Sequence, residues 1–261
     1  MKPLEFCILL FVIISCQEQN HGLREVVKSD TLYAYDVNNI LRLKGPIVNS
    51  MKNGKFDAFD SLGNIHSNAN YVNDTLSGYY KEYYPSGIVK SDAYYVNGLP
   101  YGEELVFYDG YQDSMAVQIE GKWFIAPYAT NLKEYNYRDL RGKIMYQRSY
   151  DEKGDLISKR GRIFLAQFFN KITLHPNEPF EQAWLIPAPS RTKQIDVEQH
   201  FVIYGPNTKD TVYIHPDSLV TRWNDSLSDI GTYKYEAVAY LIENGNTELD
   251  TSTFIVEIKN Y

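Results

Sequence analysis

The sequence predicts an all-β protein: an antiparallel β-meander of hairpin repeats about 24 residues long, followed by a small β-sandwich. Three observations carry this. Shifted by 24 residues, the chain overlays on itself: Gly54, Gly78 and Gly102 coincide, as do Phe59, Tyr83 and Phe107. Tyr71-Val72-Asn73-Asp74 likewise falls on Tyr95-Val96-Asn97-Gly98, and a fixed period of this size marks a repeat architecture. The 23 tyrosines among 261 residues favour pleated structure. Past residue 180 the pattern changes to short strands between turn residues such as Gly205-Pro206-Asn207, the signature of a sandwich.

One unit is clearest at residues 78–98. Its strands are Tyr79–Tyr84 and Ile88–Val96, separated by Pro85-Ser86-Gly87 and closed by Asn97-Gly98. Asn-Gly between such runs predicts a type I′ turn, which needs φ > 0 at both central residues. The earlier copies place Asn73-Asp74 and Asn49-Ser50 there; Asn and Asp tolerate the left-handed region better than Ser. Two ordinary strands and two turns fill one period, giving roughly eight to ten strands over residues 30–165. Gly54, Gly78 and Gly102 open the first strand of each unit. A strand glycine marks a close approach, here expected from a ring such as Tyr94 or Tyr95.

Gly78, Tyr83, Tyr84, Gly87, Val89, Tyr95, Asn97 and Gly98 together resemble the bacterial variant of the MORN repeat. The resemblance covers about residues 35–110. The copy at 54–77 departs from it, with Phe59-Asp60 in place of the tyrosine pair. Members of that family are often labelled YwqK-type antitoxins. The resemblance therefore implies a MORN-like meander and, as a functional expectation, an antitoxin or immunity-like partner of a toxin.

The N-terminus reads as a targeting segment. Met1-Lys2 precedes an apolar run from Phe6 to Ile14, too short to span a bilayer as a helix, and Ser15-Cys16 follows. This resembles a bacterial lipoprotein signal, which implies cleavage before Cys16 and lipid on its thiol. Ile13 and Glu5 depart from the commonest form, and ordinary secretion or a buried apolar N-terminus are the alternatives. The resemblance implies a cell-envelope protein with a lipid anchor, in the outer membrane before the inner. The only other cysteine is Cys7, so the mature fold is expected to rest on its core without a disulfide. The expected organisation is a signal at 1–16, a polar tether at 17–29, repeats at 30–168 and the sandwich at 169–261.

After Gly110 the period falters. Residues 111–136 predict a longer or decorated hairpin, and Tyr150-Asp151-Glu152-Lys153-Gly154 restores the signature. In the last segment, strands are expected at 183–186, 196–204, 211–215, 232–242 and 253–258. Asp229-Ile230-Gly231-Thr232-Tyr233 resembles the tyrosine corner of immunoglobulin-like domains. That makes the C-terminal part an immunoglobulin-like sandwich with Tyr233 as the corner residue. Its length of about 80 residues leaves one or two edge strands unaccounted for.

Chemistry is harder to find. The five histidines have no metal-ligand spacing, and no P-loop, dinucleotide fingerprint or nucleophile elbow occurs. No catalytic residue, metal or cofactor is expected, and an envelope glycan hydrolase is the least supported reading. The net charge of −7, with signs interleaved, argues against nucleic acid. What remains is a non-enzymatic binding or scaffold module for an envelope protein or glycan. Its site is expected where the period breaks, at Trp123, Phe124, Tyr128, Tyr135 and Tyr137, because periodic tyrosines are committed to cross-strand packing. Seven copies of Asp followed by Ser or Thr and an aliphatic residue or Met, such as Asp210-Thr211-Val212, resemble the O-glycosylation acceptor of secreted Bacteroidetes proteins. The same residues also initiate turns.

Overall fold

The computed structural model describes residues 22–110, 112–119, 122–129, 131–163, 166–169, 172–189, 195–214 and 220–260. The side chains of 112–119, 122–129 and 166–169 lie outside that description. The molecule is all-β. Strands β1 (Arg24–Lys28), β2 (Thr31–Tyr35), β3 (Leu41–Val48), β4 (Met51–Lys52), β5 (Gly54–Phe59), β6 (Ile65–Val72), β7 (Thr75–Tyr83), β8 (Val89–Val96) and β9 (Leu99–Phe107) build a meander. A hairpin of β10 (Gln112–Ile119) and β11 (Lys122–Ala129) then leaves it, and β12 (Leu132–Arg138), β13 (Ile144–Tyr150) and β14 (Leu156–Gly161) continue it.

The sheet has twelve strands, more than the eight to ten expected. One addition is β1, which pairs with β2 from Arg24↔Tyr35 to Lys28↔Thr31, inside the stretch read as tether. It sits on the edge with most of its residues exposed, so it shows no alternation to read.

The period encodes three backbone devices. At one end of the sheet, Ser29-Asp30, Asn49-Ser50, Asn73-Asp74 and Asn97-Gly98 all have positive φ at both residues. These are two-residue turns whose twist matches that of the strands. At the other end, Asp36, Asp60, Tyr84 and Asp151 each open a longer turn. In the turn at Asp60, its N–H donates to Asn64 O and Gly63 N–H donates back to Asp60 O. The Asp60 carboxylate also accepts from the N–H groups of Leu62 and Asn64. The Asn64 bond leads in holding this carboxyl below its usual range. Its contribution is therefore present above the ordinary carboxylate range and is lost on acidification. Tyr84 departs from that pattern and instead donates its hydroxyl to Phe107 O at 2.9 Å, tying one unit to the next.

The third device is the glycine. Gly78 and Gly102 sit at irregularities where β7 and β9 carry extra residues against their partners. Their φ values are +114 and +73. The neighbours are not the tyrosine rings expected. A Cβ on Gly78 would lie 2.9 Å from Asn70 Cβ, one on Gly54 2.8 Å from Pro46 Cγ, and one on Gly102 would meet nothing within 4 Å. A bulge needing positive φ, rather than aromatic cover, thus accounts for the column. Aromatic cover does occur, but at Gly45, where the Phe56 ring occupies the place of a side chain. Gly78→Ala is expected to cost about 2–3 kcal/mol, strain plus clash, and Gly102→Ala about 1 kcal/mol, strain alone. Urea denaturation of both variants checks this; equal costs would contradict it.

Where the next turn is due, Tyr108 N–H instead bonds Asn131 O, and Phe107 pairs with Leu132. The β10–β11 hairpin, residues 112–119 and 122–129, thus stands outside the meander, and among the described residues it pairs only with itself. After it, Asp139-Leu140-Arg141-Gly142 makes a turn of the Asp60 kind between β12 and β13.

The remaining strands are β15 (Ala166–Phe169), β16 (Thr173–Leu174), β17 (Phe180–Leu185), β18 (Asp196–Tyr204), β19 (Lys209–Ile214), β20 (Val220–Asp225), β21 (Gly231–Glu243) and β22 (Asn246–Ile258). They form a three-stranded sheet, β15-β17-β20, and a five-stranded one, β16-β22-β21-β18-β19. Trp184 is fully buried, with Phe201 and Phe254 at 5.3 and 5.8 Å. Tyr233 donates its hydroxyl to Asp229 O at 3.2 Å, the back-bond a tyrosine corner makes. Strand β20 had no expected counterpart, and β22 runs thirteen residues where six were expected.

The extra length of β21 and β22 carries this hairpin onto the meander. One cluster of buried residues contains Leu105, Tyr135, Tyr146 and Tyr150 together with Trp184, Phe201, Tyr235 and Leu241. Within the junction, Arg148 donates to Glu243 and Glu248 and to the hydroxyls of Tyr146 and Tyr150. Burial opposes the Arg148 charge, but these neighbours more than offset it and push its pKa upward. A smaller cluster of Leu32, Ala34, Leu43 and Phe56 closes the N-terminal end.

Candidate functional site

Strand alternation divides each tyrosine doublet between the two faces of the sheet. Tyr80 lies opposite Ala93 on one face, and Tyr79 opposite Tyr94 on the other. The second face also carries Asp92, opposite Leu105, and Leu105 lies opposite Tyr135. Tyr135 in turn lies opposite Arg148. This is therefore the face that the β21–β22 hairpin covers farther along. Over β12 and β13 its tyrosines are buried, Tyr101 of β9 and Tyr83 of β7 are half-buried, and Tyr79 of β7 and Tyr94 of β8 are exposed.

At the change from covered to open lies a groove of about 260 Å³. Tyr79, Asp92, Tyr94, Tyr101, Glu103 and Tyr137 line it, with Gly102 between two of them. Tyr79 is 65% exposed and Tyr94 41%. Their rings meet edge to face, with centroids 5.1 Å apart and planes at 84°. Asp92 is held by Lys81 at 3.3 Å. That pair ends a polar row across the face, in which Asn68 donates to Asp57 and accepts from the Tyr83 hydroxyl at 2.7 Å. Burial first, then Tyr101 and Glu103, push the Tyr137 hydroxyl up to about 12, so it stays a donor.

The residues expected to bind are distributed differently. Tyr135 and Tyr137 are core residues of β12 and take no part in an exposed patch at the break in the period. Burial first and the Glu103 carboxylate next raise the Tyr135 pKa far above its ordinary value. Tyr137 reaches the groove only as part of its wall. Trp123, Phe124 and Tyr128 stand in β11, opposite Gln118, Val117 and Asp113; their side chains lie outside the described residues. So does Cys16. Gly87, Asn97 and Gly98 all have positive φ in their turns.

Tyr79, Asp92, Tyr94, Tyr101 and Glu103 were not expected as site residues from the sequence; Tyr94 was expected only as cover for a strand glycine. The signal was present in the doublets Tyr79-Tyr80 and Tyr94-Tyr95, since a strand cannot pack both members on one face. Among the described residues, no group of three or more His, Cys, Asp or Glu could hold a metal ion. Compared with known proteins, the chain matches no family model and no curated sequence.

Proposed function

We propose that the protein is a non-enzymatic binding module of the bacterial cell envelope, held by a lipid on Cys16, with the Tyr79–Tyr94 groove as its contact site. The observation that carries the site is the exposed edge-to-face tyrosine pair beside two carboxylates. On the same face, Tyr135, Tyr137, Tyr146 and Tyr150 are buried. Exposed tyrosines on a rigid sheet lose little side-chain entropy on contact and offer both an apolar face and a hydroxyl. The groove lies just under the ~300–1,000 Å³ usual for small-molecule sites, so it suits one residue of a longer ligand. The MORN-like columns and the lipoprotein-like N-terminus support the repeat assignment and the envelope location within this reading.

The test is retention of the soluble domain on envelope material. Tyr79→Ala with Tyr94→Ala is expected to lower retention at least tenfold while leaving the melting temperature within about 2 °C, because exposed positions contribute little to stability. Full retention by the folded double variant would place the contact elsewhere.

A further inference from the structure

We infer that the residue received by the Tyr79–Tyr94 groove is an uncharged sugar ring of a glycan. This rests on the groove being the contact site. Asp92 and Glu103 in the lining select against a negatively charged residue, and Lys81 beside Asp92 weakens the attraction for a positively charged one. Asp92 and Glu103 line the groove, and the Lys81 ammonium stands 3.3 Å from the Asp92 carboxylate. A cationic ligand group placed against Asp92 meets Lys81, and an anionic one meets Asp92 and Glu103. A sugar hydroxyl is both donor and acceptor. It can donate to a carboxylate and accept from a tyrosine hydroxyl without either conflict. The aromatic part fits the same ligand. The faces of Tyr79 and Tyr94 carry the negative side of the ring quadrupole, which suits the weakly positive C–H face of a pyranose.

Gly102, between Tyr101 and Glu103, has nothing within 4 Å of where a Cβ would stand. Asn tolerates the positive φ found there better than most side chains. Gly102→Asn therefore fills part of the groove while keeping the backbone its strand needs.

The experiment is isothermal titration of the soluble domain with defined neutral gluco-, manno-, galacto- and N-acetylglucosamine oligosaccharides. Oligogalacturonate and oligoglucosamine serve as the anionic and cationic counterparts. At least one neutral series is expected to bind tenfold or more tightly than both charged ones. Tyr79→Ala and Gly102→Asn are each expected to weaken it at least tenfold, with circular dichroism unchanged. Binding by no neutral series, tighter binding by a charged one, or neutral binding untouched by either variant would each overturn the inference. If envelope retention still depends on Tyr79 and Tyr94 in the first of those cases, the groove remains the contact site and only the sugar assignment fails.

Discussion

Replacing Arg148 with methionine is expected to destabilise the protein by about 3–5 kcal/mol, the usual consequence of removing one partner from a buried ionic group. The side chain is 3% exposed, and its partners Glu243 and Glu248 are 6% and 12% exposed. Its guanidinium bonds Tyr150 Oη at 2.9 Å and Tyr146 Oη at 3.1 Å as well. Without it, two carboxylates stay in the junction with no guanidinium to offset their desolvation. The loss is not a measure of what the network adds to stability, since well-packed apolar groups do as well in such places. Adding Glu243→Gln and Glu248→Gln to Arg148→Met should therefore recover a substantial part. Denaturant midpoints of the single and triple variants check both statements. A loss below about 1 kcal/mol for the single variant would mean the junction is wet or loosely joined.

The second large effect lies in the sandwich. Trp184→Ala should cost about 3–5 kcal/mol, since the ring is fully buried between Phe201 and Phe254 and its removal leaves a cavity. Trp184 shares one core cluster with Tyr135 and Tyr146 of the meander. The melt of the wild-type protein followed by far-ultraviolet circular dichroism is therefore expected as one transition, and the variant should lower all of it. Two separate transitions, with only one moved by Trp184→Ala, would show that the two parts fold independently.

The local devices were the legible part of this fold. Asn97-Gly98 and Gly87 state their backbone conformation directly, because few residues accept positive φ. Asn49-Ser50, the weakest of the turns by residue type, adopts the same geometry because the flanking strands pair around it. The column of Gly54, Gly78 and Gly102 was visible, but its cause was not. A periodic glycine is equally consistent with aromatic cover and with a bulge, and only the register of β7 and β9 separates the two. Strand β1 was hidden because an edge strand exposed on both faces has no hydrophobic period. The contact between Arg148 and Glu243 spans 95 residues, and no local pattern announces it. The groove was missed for a different reason. Periodic tyrosines were expected to be committed to the sheet, yet burial follows the β21–β22 cover instead: Tyr135, at the break in the period, is buried beneath it with Tyr146. The same rule fails at Tyr79 and Tyr94, where the face is open.

The groove as contact site is tested most directly by hydroxyl-radical footprinting of the protein with and without envelope glycan and protein fractions. Tyr213 lies in the sandwich and is 74% exposed, which makes it an internal reference. The groove reading predicts that Tyr79 and Tyr94 lose most of their oxidation when the fraction is added, while Tyr213 keeps its own. Protection of Tyr213, or of any surface other than the groove, with Tyr79 and Tyr94 oxidised as before, would contradict it.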